Sequence, residues 1–118
     1  MQVGANIDEW RGKDVYLKDG EKLGKLEEVY YDAETDESLF LSVKAGRLSN
    51  KHLLVSLRGV AASPDHLAMA WSRDDLEGAP TTKPGEGLDP DEEERVFRHY
   101  GMDYQRPGTE SGRRLVRR

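Results

Sequence analysis

No cysteine occurs in the 118 residues, which excludes a disulfide framework, a thiol nucleophile and a thiolate metal site. No apolar run approaches the roughly 18 residues of a membrane-spanning helix. The start, Met1-Gln2-Val3-Gly4-Ala5, lacks the basic and apolar regions of a secretory signal, so a cytoplasmic protein with no membrane span is expected. Histidine is scarce: His52, His66 and His99 lie far apart in the chain, and none stands at ligand spacing from another. Gly4, Gly20 and Gly24 are too scattered to cradle a phosphate, and no serine sits in a nucleophile-elbow pattern. The run Asp32-x-Glu34-x-Asp36 superficially resembles a calcium loop. Glu37 stands where the sharp turn needs glycine, however, and Val43 stands where the bidentate acid belongs. Neither an enzyme nor a cofactor or metal site is expected.

Apolar residues are also thin on the ground, at 36% of the chain against 35% charged, so part of the length is expected to be solvated rather than core. The net charge of −5 is unevenly spread. Residues 105–118 carry five arginines against Glu110 alone, or +4, which leaves −9 for the rest. An acidic body repels phosphate backbones, so nucleic acid is a poor partner for it.

What is present is a set of short period-two segments between Asp14 and Ser72, as expected of strands with one buried face. Val15 and Leu17 mark the first, and Asp19-Gly20 gives the hairpin signal before the second. In that second strand, Gly24 to Asp32, Leu26 and Val29 are three apart while Val29 and Tyr31 are two apart. Keeping all three inward requires a β-bulge near Glu27-Glu28. After the turn Ala33 to Glu37, Leu39, Leu41, Val43 and Ala45 alternate cleanly with polar or outward residues. Leu53, Val55 and Leu57 share a face in the fourth strand, as do Leu67, Met69 and Trp71 in the fifth. The spacing predicts a small antiparallel β-barrel with Val15, Leu26, Val29, Leu41, Val43, Leu53, Val55, Leu67 and Met69 inside.

Beyond Ser72 the pattern changes. Ser72 to Asp75 caps a single helical turn that Ala79-Pro80 ends. Asp89-Pro90-Asp91-Glu92 then reads as an N-cap, a first-turn proline and a capping-box glutamate, and the helix ends at Gly101. Its apolar face is Val96, Phe97 and Tyr100. The expected layout is a barrel over 8–80, a linker over 81–88, a helix and extension over 89–104, and a disordered basic tail over 105–118 that contributes nothing to the fold. The fold class is thus mainly β, with a short C-terminal α-helix.

The order Trp10-Arg11-Gly12-Lys13-Asp14-Val15, Asp19-Gly20, Leu23-Gly24-Lys25-Leu26 and Val29-Tyr30-Tyr31-Asp32 resembles the PRC-barrel family. Leu39 to Val43, Val55, Ala79-Pro80, His99-Tyr100-Gly101 and Tyr104 extend the likeness to its longer stand-alone bacterial form, over roughly residues 8 to 104. The resemblance implies a compact barrel of the kind found in the photosynthetic reaction-centre H subunit and in a ribosome-maturation factor. It implies no shared enzymatic activity, and it implies an adaptor that contacts other proteins.

The strand phases also point to a surface. If Val15, Leu26, Val29, Tyr31 and Leu41 face inward, then Tyr16, Tyr30 and Phe40 face outward on three consecutive strands. Three adjacent aromatics make a patch that something should cover. The candidates are the chain's own helix through Val96, Phe97 and Tyr100, or a second copy of the chain or a heterologous protein, and a homodimer in which the helix contributes to the same surface joins the two. The expected function is a non-enzymatic protein-binding or assembly module. The alternative is an RNA- or ribosome-associated maturation module, suggested by the resemblance to the maturation factor and by the arginine tail.

Overall fold

The computed structural model describes residues 7–45, 51–83, 87–104 and 114–117. A 3-10 turn, Ile7–Trp10, leads into β1 (Asp14–Tyr16), β2 (Lys22–Asp32), β3 (Ser38–Ala45), β4 (His52–Ser56), β5 (Ala61–Ala62), β6 (His66–Ala68) and β7 (Thr81–Thr82). Helix α1 (Pro90–His99) and a last strand, β8 (Leu115–Arg117), complete the chain. The sheet order is β5-β6-β1-β2-β3-β4-β7, with β8 added to β2. This mainly-β architecture matches the expectation, although among the described residues no ladder joins β5 to β7, so the barrel's hydrogen bonding stays open there.

Local chemistry sets each turn. Between β1 and β2, Gly20 takes φ 90°, Glu21 donates its N–H to the Asp19 carboxylate at 2.9 Å, and Leu17 N–H reaches Glu21 O. Only a residue without Cβ adopts that backbone freely. Before β3, Asp36 holds φ 66°, a left-handed position that aspartate tolerates better than most side chains. The bulge in β2 is real: the register on β3 shifts between Leu26 and Glu28. The extra residue keeps Leu26 and Val29 both turned inward and fully buried.

The sheet is antiparallel except at one junction. β6 pairs parallel with β1 through Val15 opposite Leu67. Strands β4 and β5 run in the same sense along the ladder, so residues 57–60 form a corner rather than a hairpin, and the chain returns beside its first strand unreversed. Alternation cannot reveal this, because it reports which face is buried and not strand direction.

Of the nine expected interior residues, Val15, Leu26, Val29, Leu41, Val43, Val55, Leu67 and Met69 are buried. Leu53 is only half-buried, opposite Val43 at the end of β4, while its neighbour Leu54 is fully buried. Leu54 lies on the other face, where its N–H donates to Pro80 O and its carbonyl accepts from Tyr100. Strand β4 is thus covered on both sides, which a period-two pattern does not encode. Truncating Val43 to Ala removes two buried methyl groups and leaves a cavity, so thermal or urea unfolding should show a loss of about 2 kcal/mol. No measurable loss would mean that the strand is out of register.

Two expected boundaries need correction. The presumed linker 81–88 contains β7, where Thr81 and Thr82 pair with Leu53 and His52, and a buried Leu88. The presumed disordered tail contains β8, in which Leu115, Val116 and Arg117 pair with Asp32, Tyr31 and Tyr30. Both segments satisfy backbone groups at strand edges that would otherwise be unpaired. The rest of the expected disordered tail, 105–113 and 118, lies outside the described residues.

Candidate functional site

The five aromatics singled out from the sequence do not form one exposed patch. Tyr30 and Phe40 are cross-strand partners on β2 and β3, but both are buried, Phe40 at 0% exposure. The cover is the chain's own helix. Phe97 meets Phe40 edge-on at 5.3 Å between ring centroids, and Tyr100 lies 6.0 Å from it. Trp71 packs on Tyr100 at 5.0 Å, and Tyr104 packs on Phe97 at 5.1 Å. Tyr16 stands apart, half-buried and edge-on to His66 at 5.1 Å. The structure therefore brings together Phe40, Phe97 and Tyr100, leaves Tyr16 elsewhere, and spends the cluster inside the molecule. The apolar face of α1 finds its partner on the barrel, as a ten-residue helix must if it is to persist.

The helix is set in place by its sequence. Asp89 caps Glu92 N–H at 2.8 Å, Glu92 returns a hydrogen bond from Asp89 N–H at 3.1 Å, and Pro90 begins the first turn. A second reciprocal pair, Ser72 with Asp75, closes the single turn that precedes β7, and hydrogen bonds from Ser72 hold the Asp75 carboxyl below its ordinary range. His99 Nε2 lies 2.9 Å from Asp75 O, tying helix to turn.

Burial pushes the phenols of Tyr30 and Tyr100 upward, opposed for Tyr30 by a hydrogen bond with Thr82. A folded-state value above the unfolded one means that the associated stability is fully present below the ordinary phenol value of 10.0 and is lost as pH rises beyond it. The urea midpoint should therefore decline above pH 10 as the unfolded chain releases its phenolic protons first. Tyr100→Phe should flatten that decline. An unchanged slope in the variant would show that Tyr100 ionises as freely folded as unfolded.

The most unusual group in the molecule is a carboxylate on the same helix face. Glu93 is 0% exposed, in line with Val96, Phe97 and Tyr100 at the i, i+3, i+4 and i+7 positions. Its Oε1 accepts from Tyr104 hydroxyl at 2.7 Å and Arg114 N–H at 3.0 Å; its Oε2 accepts from Arg114 N–H at 2.8 Å and Leu115 N–H at 2.7 Å. The buried acid thus holds two consecutive backbone donors just where β8 begins.

Further contacts define this slot. Asp32, itself buried at the end of β2, pairs with the Arg114 guanidinium at 3.1 Å while its other oxygen accepts Glu34 N–H at 2.9 Å. The Arg114 guanidinium also lies over the Phe97 ring at 5.5 Å. Arg117 reaches Glu28 at 3.4 Å, and Ala33 N–H donates to Arg114 O at 2.6 Å. Leu115 is buried, whereas Val116 and Arg117 are half-exposed.

Nothing in the sequence reading assigned Glu93, Asp32, Glu28 or Arg114 to a site. Glu93 stands in the acidic first turn of the helix, and Asp32 opens the Asp32-x-Glu34-x-Asp36 run. The available signal was the phase of Glu93, which shares the helix's apolar stripe rather than its solvated face, together with the apolar pair Leu115-Val116 inside the basic tail. The histidines are held separately: His52 is buried beside β7, and His66 sits 2.8 Å from Asp65. Among the described residues no group of three or more His, Asp or Glu could hold a metal ion. No described helix is long and apolar enough to cross a membrane.

A family model described as the PRC-barrel domain matches residues 4–69. No curated protein matches the chain.

Proposed function

The chain belongs to the PRC-barrel domain family, and from that premise we propose that it is a non-enzymatic protein-binding module that works by strand addition at an edge of β2. One observation carries this reading: β2 pairs with β1 over Lys22–Lys25 and, farther along, receives a separate short strand over Tyr30–Asp32, with a buried acid placed to hold the incoming backbone. Strand addition supplies affinity through main-chain hydrogen bonds and specificity through the side-chain contacts beside them. The family barrel supplies the rigid scaffold, and the expected adaptor role is read here as a role for this edge rather than for the aromatic cluster, which is spent on α1.

The nucleic-acid alternative loses ground because Arg114 and Arg117 face Asp32 and Glu28. Cross-linking in source cells, followed by mass spectrometry of the linked peptides, tests the proposal. Protein cross-links centred on β2 and α1 that survive high salt support it. Recovery of RNA alone, lost steeply as salt rises, or no cross-linked partner at all, overturns it.

A further inference from the structure

Resting on the strand-addition reading above, we infer that the slot built by the β2 edge, Glu93, Asp32 and Glu28 is a peptide-binding site for an extended basic segment of a partner protein. The segment would carry arginine, an apolar residue, one further residue and a second arginine, and β8 is its intramolecular occupant. The slot reads a ligand in three ways. Glu93 accepts two consecutive backbone N–H groups, which a ligand presents by bending at the first of them before its extended stretch begins, as Arg114 does ahead of β8. Leu115 fills the one buried apolar position. Asp32 and Glu28 each face an arginine, and Phe97 offers its ring face to the first of them.

The receiving groups sit on elements the rest of the fold already fixes. Glu93 is carried by α1, which the capping box and the Phe40 contact position, and Asp32 and Glu28 are carried by the strand that pairs with β3. The occupant, in contrast, makes three ladder pairs and buries one side chain. Elements with so little burial open locally without global unfolding. The acidic body also attracts a basic segment from outside. In cis, β8 has an effective concentration of about millimolar order, so it sets a threshold that only a better-matched partner strand exceeds.

The test uses the full chain and a fluorescent peptide of residues 112–118, Gly-Arg-Arg-Leu-Val-Arg-Arg. In Leu115→Asp the cis strand carries a carboxylate toward Glu93 and Asp32 and should leave the slot, which hydrogen exchange at Arg114–Arg117 reports. That variant should bind the peptide about tenfold or more tighter than wild type, since the competing population is removed. Adding Asp32→Asn, or replacing both outer arginine contacts by using a peptide with glutamate at the positions of Arg114 and Arg117, should abolish the gain. Should Leu115→Asp destabilise the barrel, Val116→Pro, which removes a ladder donor opposite Tyr31, serves in its place.

A released β8 with no peptide binding overturns this inference while leaving strand addition by another class of partner to the cross-linking test. A wild type that forms a concentration-dependent dimer, dissociated by Leu115→Asp, also overturns it by making a second copy the occupant. Binding that is equal in wild type and variant would show that the peptide goes elsewhere.

Discussion

Glu93→Ala should lower the unfolding free energy by about 3–4 kcal/mol and should free the last strand from the sheet. The wild-type carboxyl receives Tyr104 hydroxyl and the N–H groups of Arg114 and Leu115 in a place without solvent access. Removing it takes the carboxylate acceptor from three donors, and a donor that stays buried and unpaired costs about 1–3 kcal/mol. The chain need not accept that full penalty. β8 can detach, hydrate its donors and forgo its three ladder pairs and the burial of Leu115. The loss is therefore capped near the docking energy of β8, which sets the estimate below the sum of the three penalties. Amide exchange discriminates this from general loosening: Arg114–Arg117 should exchange fast while the amides of Val29 and Leu41 stay protected. Glu93→Gln keeps one acceptor oxygen but turns an amide donor toward the remaining N–H or O–H groups, and should lie between the two. Unchanged protection at Leu115 in Glu93→Ala would refute the anchoring role.

The contrast with what was legible beforehand follows from the physics of each signal. The bulge at Glu27, the hairpin at Asp19-Gly20, the capping box at Asp89 and nearly all of the interior set were readable because each depends on local spacing or on one residue's backbone preference. The alternation puts Tyr30 and Phe40 on the face away from Val29 and Leu41, and over Phe40 the chain's own helix is the cover in place. Glu93 and β8 escaped because their meaning is mutual. A glutamate in an acidic first turn looks like a response to the helix dipole, and a basic, glycine-containing tail looks like solvated chain. Only the pairing of the two, 22 residues apart in sequence, turns an acidic helix start and an arginine-rich end into one contact. Deleting the tail, harmless by composition, should instead remove two of the three donors to Glu93, the N–H groups of Arg114 and Leu115, together with the strand 115–117 that belongs to the sheet.

Gly24→Ala should be about as damaging, at about 3 kcal/mol or more, for a different reason. Gly24 lies in the middle of the sheet, opposite Val15 on β1 and Ala45 on β3. A Cβ placed there would stand 2.0 Å from the carbonyl oxygen of Lys44 and 2.8 Å from its carbon. Both are backbone atoms, so no side-chain rotation relieves the clash, and β2 and β3 would have to part at Gly24–Ala45, where the ladder that runs on to Tyr31–Ser38 begins. Overpacking a well-filled interior costs about 1–3 kcal/mol and occasionally more, and a contact this short against backbone belongs at the upper end. Gly20 and Gly78 provide the control. Both hold positive φ, 90° and 76°, with no heavy atom within 4 Å of an added Cβ. Alanine at either should cost only the left-handed backbone penalty of about 1–2 kcal/mol. Urea unfolding of the three alanine variants should therefore rank Gly24 well below the other two in stability. If Gly24→Ala matched Gly20→Ala, the two strands would not approach as closely as the ladder between Gly24 and Ala45 requires.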